Sequence, residues 1–189
     1  MATSTTKSAL EISVLKQYIA GKWVDGSTAK EIVSTNPADT RQILAKLKGC
    51  DKADAVRAID AAETAFPAWR ATPAPVRGRI LAKAAAIARE RKEELARLMT
   101  REQGKILSEA LGEMEKGITL MEWFAGEGLR LGGMTQPSEL PQNLLYTLRQ
   151  PLGVVSIITP WNFPWAIPVW KISPALVAGN CVVFKPASL

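Results

Sequence analysis

The sequence contains no histidine and only two cysteines, Cys50 and Cys181. Without histidine, the chain has no cysteine–histidine pair for nucleophilic catalysis and no histidine ligand for zinc. Two cysteines are too few for a disulfide framework, and Cys181 lies in an apolar run that is typical of a packed strand. We therefore expect neither structural disulfide bonds nor a metal site.

Long hydrophobic runs are also missing, because no apolar stretch is both long enough and free of proline to span a bilayer. The first residues are small and polar and lack the apolar core of a signal peptide, so residues 1–16 are interpreted as a disordered tail. A composition of 47% hydrophobic and 22% charged residues is ordinary for a globular protein. We expect a cytoplasmic protein without membrane association.

The formal net charge is +6, which raises the question of nucleic-acid binding. The basic residues are spread along predicted helices and alternate with acidic ones, as in residues 89–94, and Glu93 is placed to pair with Arg97 four residues later. No aromatic residues are interleaved with the basic ones. A solvated helix surface explains this pattern better than a nucleic-acid interface, which ranks last among the functions considered.

The sequence of the first third of the chain predicts short strands followed by a helix. Strand-like patterns occupy residues 18–20, 21–24, 32–34 and 43–47, with a turn at 36–39. Asp51 is a suitable cap for a helix over residues 52–66, and Pro67 is expected to end it. The apolar positions that share one face of this helix are Val56, Ile59, Ala62 and Phe66.

Two longer helices are predicted next. The first begins at Pro73 and Pro75 and runs to Gly104, and its apolar residues with a period near 3.6 are Ile80, Ala84, Ile87, Leu95 and Leu98. The second covers residues 106–131, and its expected buried face comprises Leu107, Leu111, Met114, Ile118 and Met121, continued by Trp123 and Phe124. These stripes indicate a packed core rather than a cofactor site. Alternation over residues 144–149 then predicts an edge strand or hairpin arm.

The last 38 positions predict a strand, a helix and a second strand. Residues 152–158 form an apolar, β-branched run, residues 165–178 an apolar helix ending at Gly179, and residues 181–184 a second apolar run. Each run is followed by a proline, Pro160 or Pro186. Such a βαβ unit has parallel strands, whose carboxyl ends meet at one edge of the sheet, where ligands bind in open α/β folds.

Two polar side chains follow these strands, Asn162 after the first and Lys185 at the end of the second. A neutral amide held between prolines and aromatic residues could donate to a developing oxyanion, and an ammonium group suits ribose hydroxyls or a phosphate. Taken singly, each residue is better explained as a turn asparagine or a solvent-exposed lysine. Their order on adjacent strand ends favours the functional interpretation.

These residues resemble the NAD(P)-dependent aldehyde dehydrogenase family. The segments that carry the resemblance are ITPWNFP at 158–164, FKPAS at 184–188, NPA at 36–38, QGK at 103–105 and PLGVV at 151–155. The chain looks like the amino-terminal portion of such an enzyme, closest to the 2-oxoglutarate semialdehyde and succinate-semialdehyde dehydrogenases. The strands lack the glycine-rich G-x-G-x-x-G fingerprint, as does this family's variant of the Rossmann fold.

The resemblance implies an α/β fold with an incomplete, Rossmann-like cofactor domain. Residues 17–133 would supply amino-terminal strands and helices of that domain, 134–150 a β-hairpin oligomerisation arm, and 151–189 the first, truncated βαβ unit. In the resembled family the arm packs between subunits, which implies a homo-oligomer, a dimer or a tetramer.

The resemblance also implies site residues and a mechanism. NAD or NADP would lie against Ile158, Thr159, Pro160, Trp161, Asn162, Lys185, Ala187 and Ser188, and the aldehyde tunnel would be lined by Phe163, Ile167 and Trp170. A cysteine thiolate would add to the aldehyde, hydride would pass to nicotinamide, and water would hydrolyse the thioester. Asn162 would donate to the oxyanion of the adduct.

Two positions bear on specificity within the family. Ser188 stands where many NAD-preferring members carry a glutamate that repels a 2′-phosphate, so the complete enzyme is expected to accept NADP, alongside NAD. Trp170 stands where many succinate-semialdehyde dehydrogenases carry a carboxylate-binding arginine. The segment around it looks closer to the 2-oxoglutarate semialdehyde dehydrogenases, which we favour, with succinate semialdehyde as the alternative substrate.

The family's nucleophilic cysteine and the glutamate that activates water have no counterpart in the 189 residues. The chain is therefore expected to be an amino-terminal fragment that does not oxidise aldehydes and that exposes apolar surface from an unfinished sheet. The alternative is a noncatalytic interaction module that pairs with a complete subunit.

Overall fold

The computed structural model describes residues 13–187. Two small amino-terminal sheets come first in the chain, followed by four helices, a hairpin and a final βαβ unit. In chain order the elements are β1 Ser13–Leu15, β2 Gln17–Ile19, β3 Lys22–Val24, β4 Glu31–Asn36, β5 Asp39–Lys48, α1 Lys52–Ala71, α2 Ala74–Glu90, α3 Lys92–Gln103, α4 Leu107–Glu127, β6 Thr135–Gln136, β7 Leu145–Tyr146, β8 Val154–Ile158, α5 Ala166–Val177 and β9 Cys181–Lys185.

The amino-terminal strands form two sheets. In the first, β5 lies between β1, to which it is parallel, and β4, to which it is antiparallel. In the second, β2 and β3 form a hairpin through Ala20 and Gly21, both with positive φ. The predicted disordered tail at 1–16 is therefore wrong for residues 13–15, because their backbone pairs with β5. Residues 1–12 lie outside the described residues.

Helix α1 begins as predicted at Asp51 but ends later than predicted. Asp51 and Asp54 form a reciprocal capping box. Pro67 lies inside the helix, which continues to Ala71, so the predicted end at Pro67 is wrong. The last turn is held by tertiary contacts that offset the hydrogen bond lost at the proline: the Trp69 indole N–H donates to the Leu176 carbonyl at 3.1 Å.

The apolar face predicted for α1 agrees with the structure at Ala62 and Phe66, which are half-buried, and is wrong at Val56 and Ile59. Val56 is 44% exposed and Ile59 45% exposed, whereas Ala58 and Ala62 are half-buried on the side that faces β9. The sequence pattern ranked residues by hydrophobicity and therefore included Val56 and Ile59, which the fold leaves exposed.

The long helix predicted from Pro73 to Gly104 is two helices. The backbone breaks at Arg91, and α3 then ends at Gly104, whose φ of 83° makes it a left-handed cap. Ile80, Ile87 and Leu98 are about half exposed, so they are not the buried stripe. The buried stripe runs one residue away and consists of Leu81, Ala85, Ala88, Ala96 and Met99.

Helix α4 forms the centre of the core. Met114, Ile118 and Met121 are buried as predicted, and α4 packs against α2, α3 and α5. The helix ends at Glu127 rather than near 131, and Trp123 is 63% exposed, so the predicted extension of the buried face is wrong at that residue. None of the helices between residues 13 and 187 is long and apolar enough to cross a membrane.

The carboxyl-terminal elements match the predicted order. Strands β6 and β7 pair antiparallel as a hairpin, whose role as an arm between subunits stays a prediction, and β8 and β9, which α5 connects, pair parallel. The Asn180 side-chain oxygen accepts hydrogen bonds from the backbone N–H groups of Leu152 and Gly153, and so ties the entry of β8 to that of β9. This register places the carboxyl ends of both strands at the same edge.

Candidate active site and cofactor rim

The rim is the edge of the β8–β9 sheet at the carboxyl ends of its two strands. Ile158, the last residue of β8, is the register partner of Lys185, the last residue of β9. Residues 159–162 and 186–187 therefore leave the sheet from the same edge, as the sequence predicted. The roles assigned to these residues stay predictions.

Asn162 is exposed on the rim, and its backbone and side chain differ in their contacts. The backbone carbonyl accepts hydrogen bonds from the Lys105 ammonium at 3.0 Å and the Gln103 side-chain amide at 3.3 Å. The side-chain amide makes no hydrogen bond with any residue between 13 and 187. An anchored backbone with a free neutral donor is the arrangement that an oxyanion site needs.

The residues before Asn162 combine a buried polar side chain with exposed apolar ones. Thr159 is 5% exposed, whereas Ile158 is 70% and Trp161 60% exposed, and Pro160 is also exposed. Exposed apolar side chains next to polar groups suit the flat apolar rings and the polar ribose units of a dinucleotide. The residues present therefore fit the predicted cofactor.

At the end of β9, the Lys185 ammonium donates to the Pro186 carbonyl at 2.8 Å, and Ala187 is half-buried. Ser188 lies outside the described residues. The expectation that the enzyme accepts NADP therefore still rests on the identity of residue 188 in the sequence.

The three predicted tunnel residues lie on the segment from 163 to 170. Phe163 is 39% and Trp170 45% exposed, and Ile167 between them is half-buried. The Lys116 ammonium of α4 reaches both rings, at 5.9 Å from the centroid of Phe163 and 5.5 Å from that of Trp170. These distances are typical of cation–π contacts, so a positive charge stands beside the predicted tunnel.

Sequence reasoning assigned no role to Lys105, Glu113 or Lys116. Glu113 carried a usable signal, because it is a carboxylate next to Met114 in a helix whose neighbouring positions form the apolar stripe. Lys105 belonged to a motif of the resemblance without a stated function. Lys116 had no signal, since its ring contacts depend on how α4 packs against α5.

Neither cysteine lies at the rim. Cys181 is at the amino end of β9, opposite the rim, and burial raises the pKa of its thiol. Cys50 precedes α1, and burial followed by the charges of Asp54 and Asp51 raises its pKa too. A raised pKa disfavours the thiolate, so both residues lack the environment of a nucleophile.

The sequence model of the aldehyde dehydrogenase family matches residues 23–189. The α-ketoglutarate semialdehyde dehydrogenase of Haloferax volcanii is 44% identical over 174 residues, which are 92% of this chain and 36% of that protein. The NADP⁺ succinate-semialdehyde dehydrogenase of Escherichia coli is 46% identical over 171 residues, 90% of this chain and 35% of that protein. The chain thus spans about a third of the length of these relatives.

The three-dimensional fold agrees with the sequence match. A crystal structure described as an E. coli NADP-dependent enzyme superposes with a TM-score of 0.89 at 43% identity, over 93% of this chain and 36% of that one. Matches in both sequence and fold cover the rim as well as the helices before it. The chain belongs to the aldehyde dehydrogenase family, whose members oxidise aldehydes with NAD or NADP, and it forms an amino-terminal portion of that fold.

Proposed function

We propose that this chain is the amino-terminal part of an NAD(P)⁺-dependent enzyme that oxidises a semialdehyde to the carboxylic acid. The observation that carries the proposal is the state of Asn162, whose carbonyl is held by Lys105 while its amide is free and exposed at the rim. The comparisons support it, because this chain matches about a third of several semialdehyde dehydrogenases.

In this proposal Asn162 donates a hydrogen bond to the oxyanion that forms when a thiolate adds to the aldehyde. Loss of one such donor typically costs about 2.7–4 kcal/mol of transition-state stabilisation. The amide is neutral, so it polarises the carbon–oxygen bond without adding a titrating group. Bound NAD or NADP supplies the hydride acceptor, and residues 158–161 with Lys185 and Ala187 would hold it.

The position of Lys116 favours an aldehyde substrate that also bears a carboxylate. Its ammonium makes no ion pair with any residue between 13 and 187, and it stands beside Phe163 and Trp170 at the predicted tunnel. A carboxylate at the far end of a semialdehyde would complement this charge. We favour 2-oxoglutarate semialdehyde, with succinate semialdehyde as the second candidate, since named relatives carry both activities.

The proposal includes two further expectations for the protein. The 189-residue chain alone should not oxidise aldehydes, because neither Cys50 nor Cys181 lies at the rim. The complete enzyme should be a homo-oligomer that uses the hairpin β6–β7, because Leu145 and Tyr146 are 48% and 59% exposed there. A noncatalytic module that pairs through the same hairpin is the alternative.

The test is a substrate panel with the full-length enzyme, assayed with NADP⁺ and with NAD⁺. The substrates are 2-oxoglutarate semialdehyde, succinate semialdehyde and pentanal, which lacks the carboxylate. Lys116→Met should raise KM for the two acids about tenfold or more, since a hydrogen bond to a charged group is worth about 1.5–3 kcal/mol. The kinetics with pentanal should not change.

The matched control is Lys92→Met, because Lys92, on α3, pairs with Glu115, the residue before Lys116, and makes no cation–π contact with either ring. It should leave all three substrates unaffected. An enzyme that oxidises no semialdehyde with either cofactor would refute the proposal. An equal loss with pentanal and the acids would refute the assignment of Lys116.

A further inference from the structure

Lys105 is a buried lysine whose side chain contacts the segment that carries Asn162. It follows the left-handed cap Gly104, which turns the chain out of α3, and its side chain is only 9% exposed. Its ammonium contacts three groups: the Glu113 carboxylate at 2.5 Å, the Asn162 carbonyl at 3.0 Å, and the Phe163 ring at 4.3 Å from the centroid. The donors of the ammonium are therefore used on a carboxylate, a carbonyl and an aromatic face.

Glu113 is the partner of Lys105 and lies on the buried face of α4, with a side chain that is 0% exposed. Its second oxygen accepts hydrogen bonds from the backbone N–H groups of Trp165 at 2.8 Å and Ala166 at 3.1 Å. These donors belong to the start of α5, which has no side-chain cap within its own sequence. Glu113 thus caps α5 from a neighbouring helix.

The pair holds both ends of a five-residue segment, Lys105 at the carbonyl of residue 162 and Glu113 at the amides of 165 and 166. Between these anchors, Asn162 presents its side-chain amide to solvent without a partner among the described residues. We propose that Lys105 and Glu113 are positioning residues that fix the backbone of residues 162–166 and so aim the Asn162 amide at the oxyanion. This inference rests on the proposed role of Asn162.

The cost of burying two charges favours a positioning role for the Lys105–Glu113 pair over a purely stabilising one. Removing a lysine and a glutamate from water is expensive, and a buried ion pair often contributes little net stability compared with apolar residues of the same size. A more exposed pair joins α3 to α4: Lys92 and Glu115, whose side chains are 33% and 42% exposed, contact no part of the rim. Only the buried pair connects its charge to the backbone of the site.

Amide hydrogen exchange on the 189-residue chain tests the inference, together with NMR of the Asn162 side-chain amide. Lys105→Met keeps the apolar stem and removes the charge. Exchange at the Trp165 and Ala166 amides, which donate to Glu113, should rise by about tenfold or more, whereas amides of α4 from Met114 to Met121 should keep their wild-type rates. The Asn162 side-chain resonances should sharpen, because the side chain gains mobility with its backbone.

Two variants complete the test. Lys105→Arg should restore slow exchange at Trp165 and Ala166, since guanidinium donors can reach the same carboxylate and carbonyl. Lys92→Met should leave these two amides unchanged. If Lys105→Met does not fold, Glu113→Gln replaces it, because a neutral acceptor binds the two α5 amides more weakly and should raise their exchange in the same way.

Unchanged exchange at Trp165 and Ala166 in Lys105→Met and Glu113→Gln would overturn the inference. A uniform rise across α4, α5 and the segment would also overturn it, since it would show a purely structural pair. The substrate panel is independent of this result: semialdehyde oxidation with an unresponsive segment would reject the positioning pair and leave the proposed function intact.

Discussion

At the scale of single residues, Asp54 is the carboxylate that joins the loop before β4 to helix α1. It is 1% exposed and accepts hydrogen bonds from the Ser27 backbone N–H at 3.0 Å, the Ser27 hydroxyl at 2.8 Å and the Asp51 backbone N–H at 3.2 Å. Arg57 also pairs with it. The Ser27 backbone N–H, followed by its hydroxyl, lowers the pKa of Asp54 to about 2.

Because its pKa is lowered, Asp54 makes the stability of the folded protein depend on pH in the acid range. Because the folded pKa is below the unfolded value of about 3.9, the stabilisation is complete above about pH 5 and is lost as the pH falls towards 2. Asp54→Asn should lower Tm at pH 7, and the difference from wild type should shrink between pH 5 and pH 2 as the wild-type carboxyl protonates. Calorimetry at several pH values checks this, with the exposed Asp60→Asn as control. A difference in Tm that stays constant from pH 7 to pH 2 would contradict it.

At the scale of elements, the crossing of α4 and α5 depends on a glycine. A Cβ atom at Gly117 would lie 2.2 Å from Trp165 Nε1 and 3.1 Å from Val169 Cγ2, so only glycine lets α4 approach the start of α5. Gly112 lies on the same helix, and a Cβ there would have no neighbour within 4 Å. One helix thus contains a glycine required by packing and one that is not.

The two glycines should respond with opposite signs. Gly117→Ala should lower the free energy of unfolding by about 1–3 kcal/mol, as overpacking does in cores. Gly112→Ala should raise it by about 0.5–1 kcal/mol, because alanine loses less backbone entropy in a helix. Urea unfolding monitored by circular dichroism measures both. Equal effects at the two positions would show that helix propensity, and not the contact with Trp165, determines the result.

At the scale of the whole molecule, two of the exposed apolar regions bear on association. A groove of about 940 Å³ between α1 and β9 is lined by alanines, Val182 and Phe184, among other residues. The region of the hairpin exposes Leu144 and Leu148, which are 75% and 64% exposed. Exposed apolar patches of this kind favour association.

The isolated chain should therefore associate as its concentration rises, which analytical ultracentrifugation measures. The double variant Leu144→Glu, Leu148→Glu should shift it towards the monomer, because two carboxylates oppose burial of the hairpin surface. Ile59→Glu with Leu98→Glu, at exposed positions on α1 and α3, is the matched control and should have no such effect. A wild-type chain that is monomeric at all concentrations would reject the hairpin as an interface.

Local chemistry was enough to predict some elements. Asp51 before a helix, proline after each apolar run, and Gly179 between helix and strand are local signals, and the structure has the cap and the βαβ unit where they indicated. Placement of Asn162 and Lys185 at one edge followed from parallel strands alone. Positions that failed, such as Pro67 and Ile80, depend on contacts with distant residues.

The sequence by itself determined the βαβ unit, the hairpin and the residue types at the rim, because turn and strand preferences act over a few neighbouring residues. Only the tertiary structure decided which face of α1 and α2 is buried and that Lys105 and Glu113 meet at Asn162. Those features join residues 57 positions apart at Lys105 and Asn162 and 107 apart at Trp69 and Leu176, and such contacts arise from how helices pack, which no local pattern encodes.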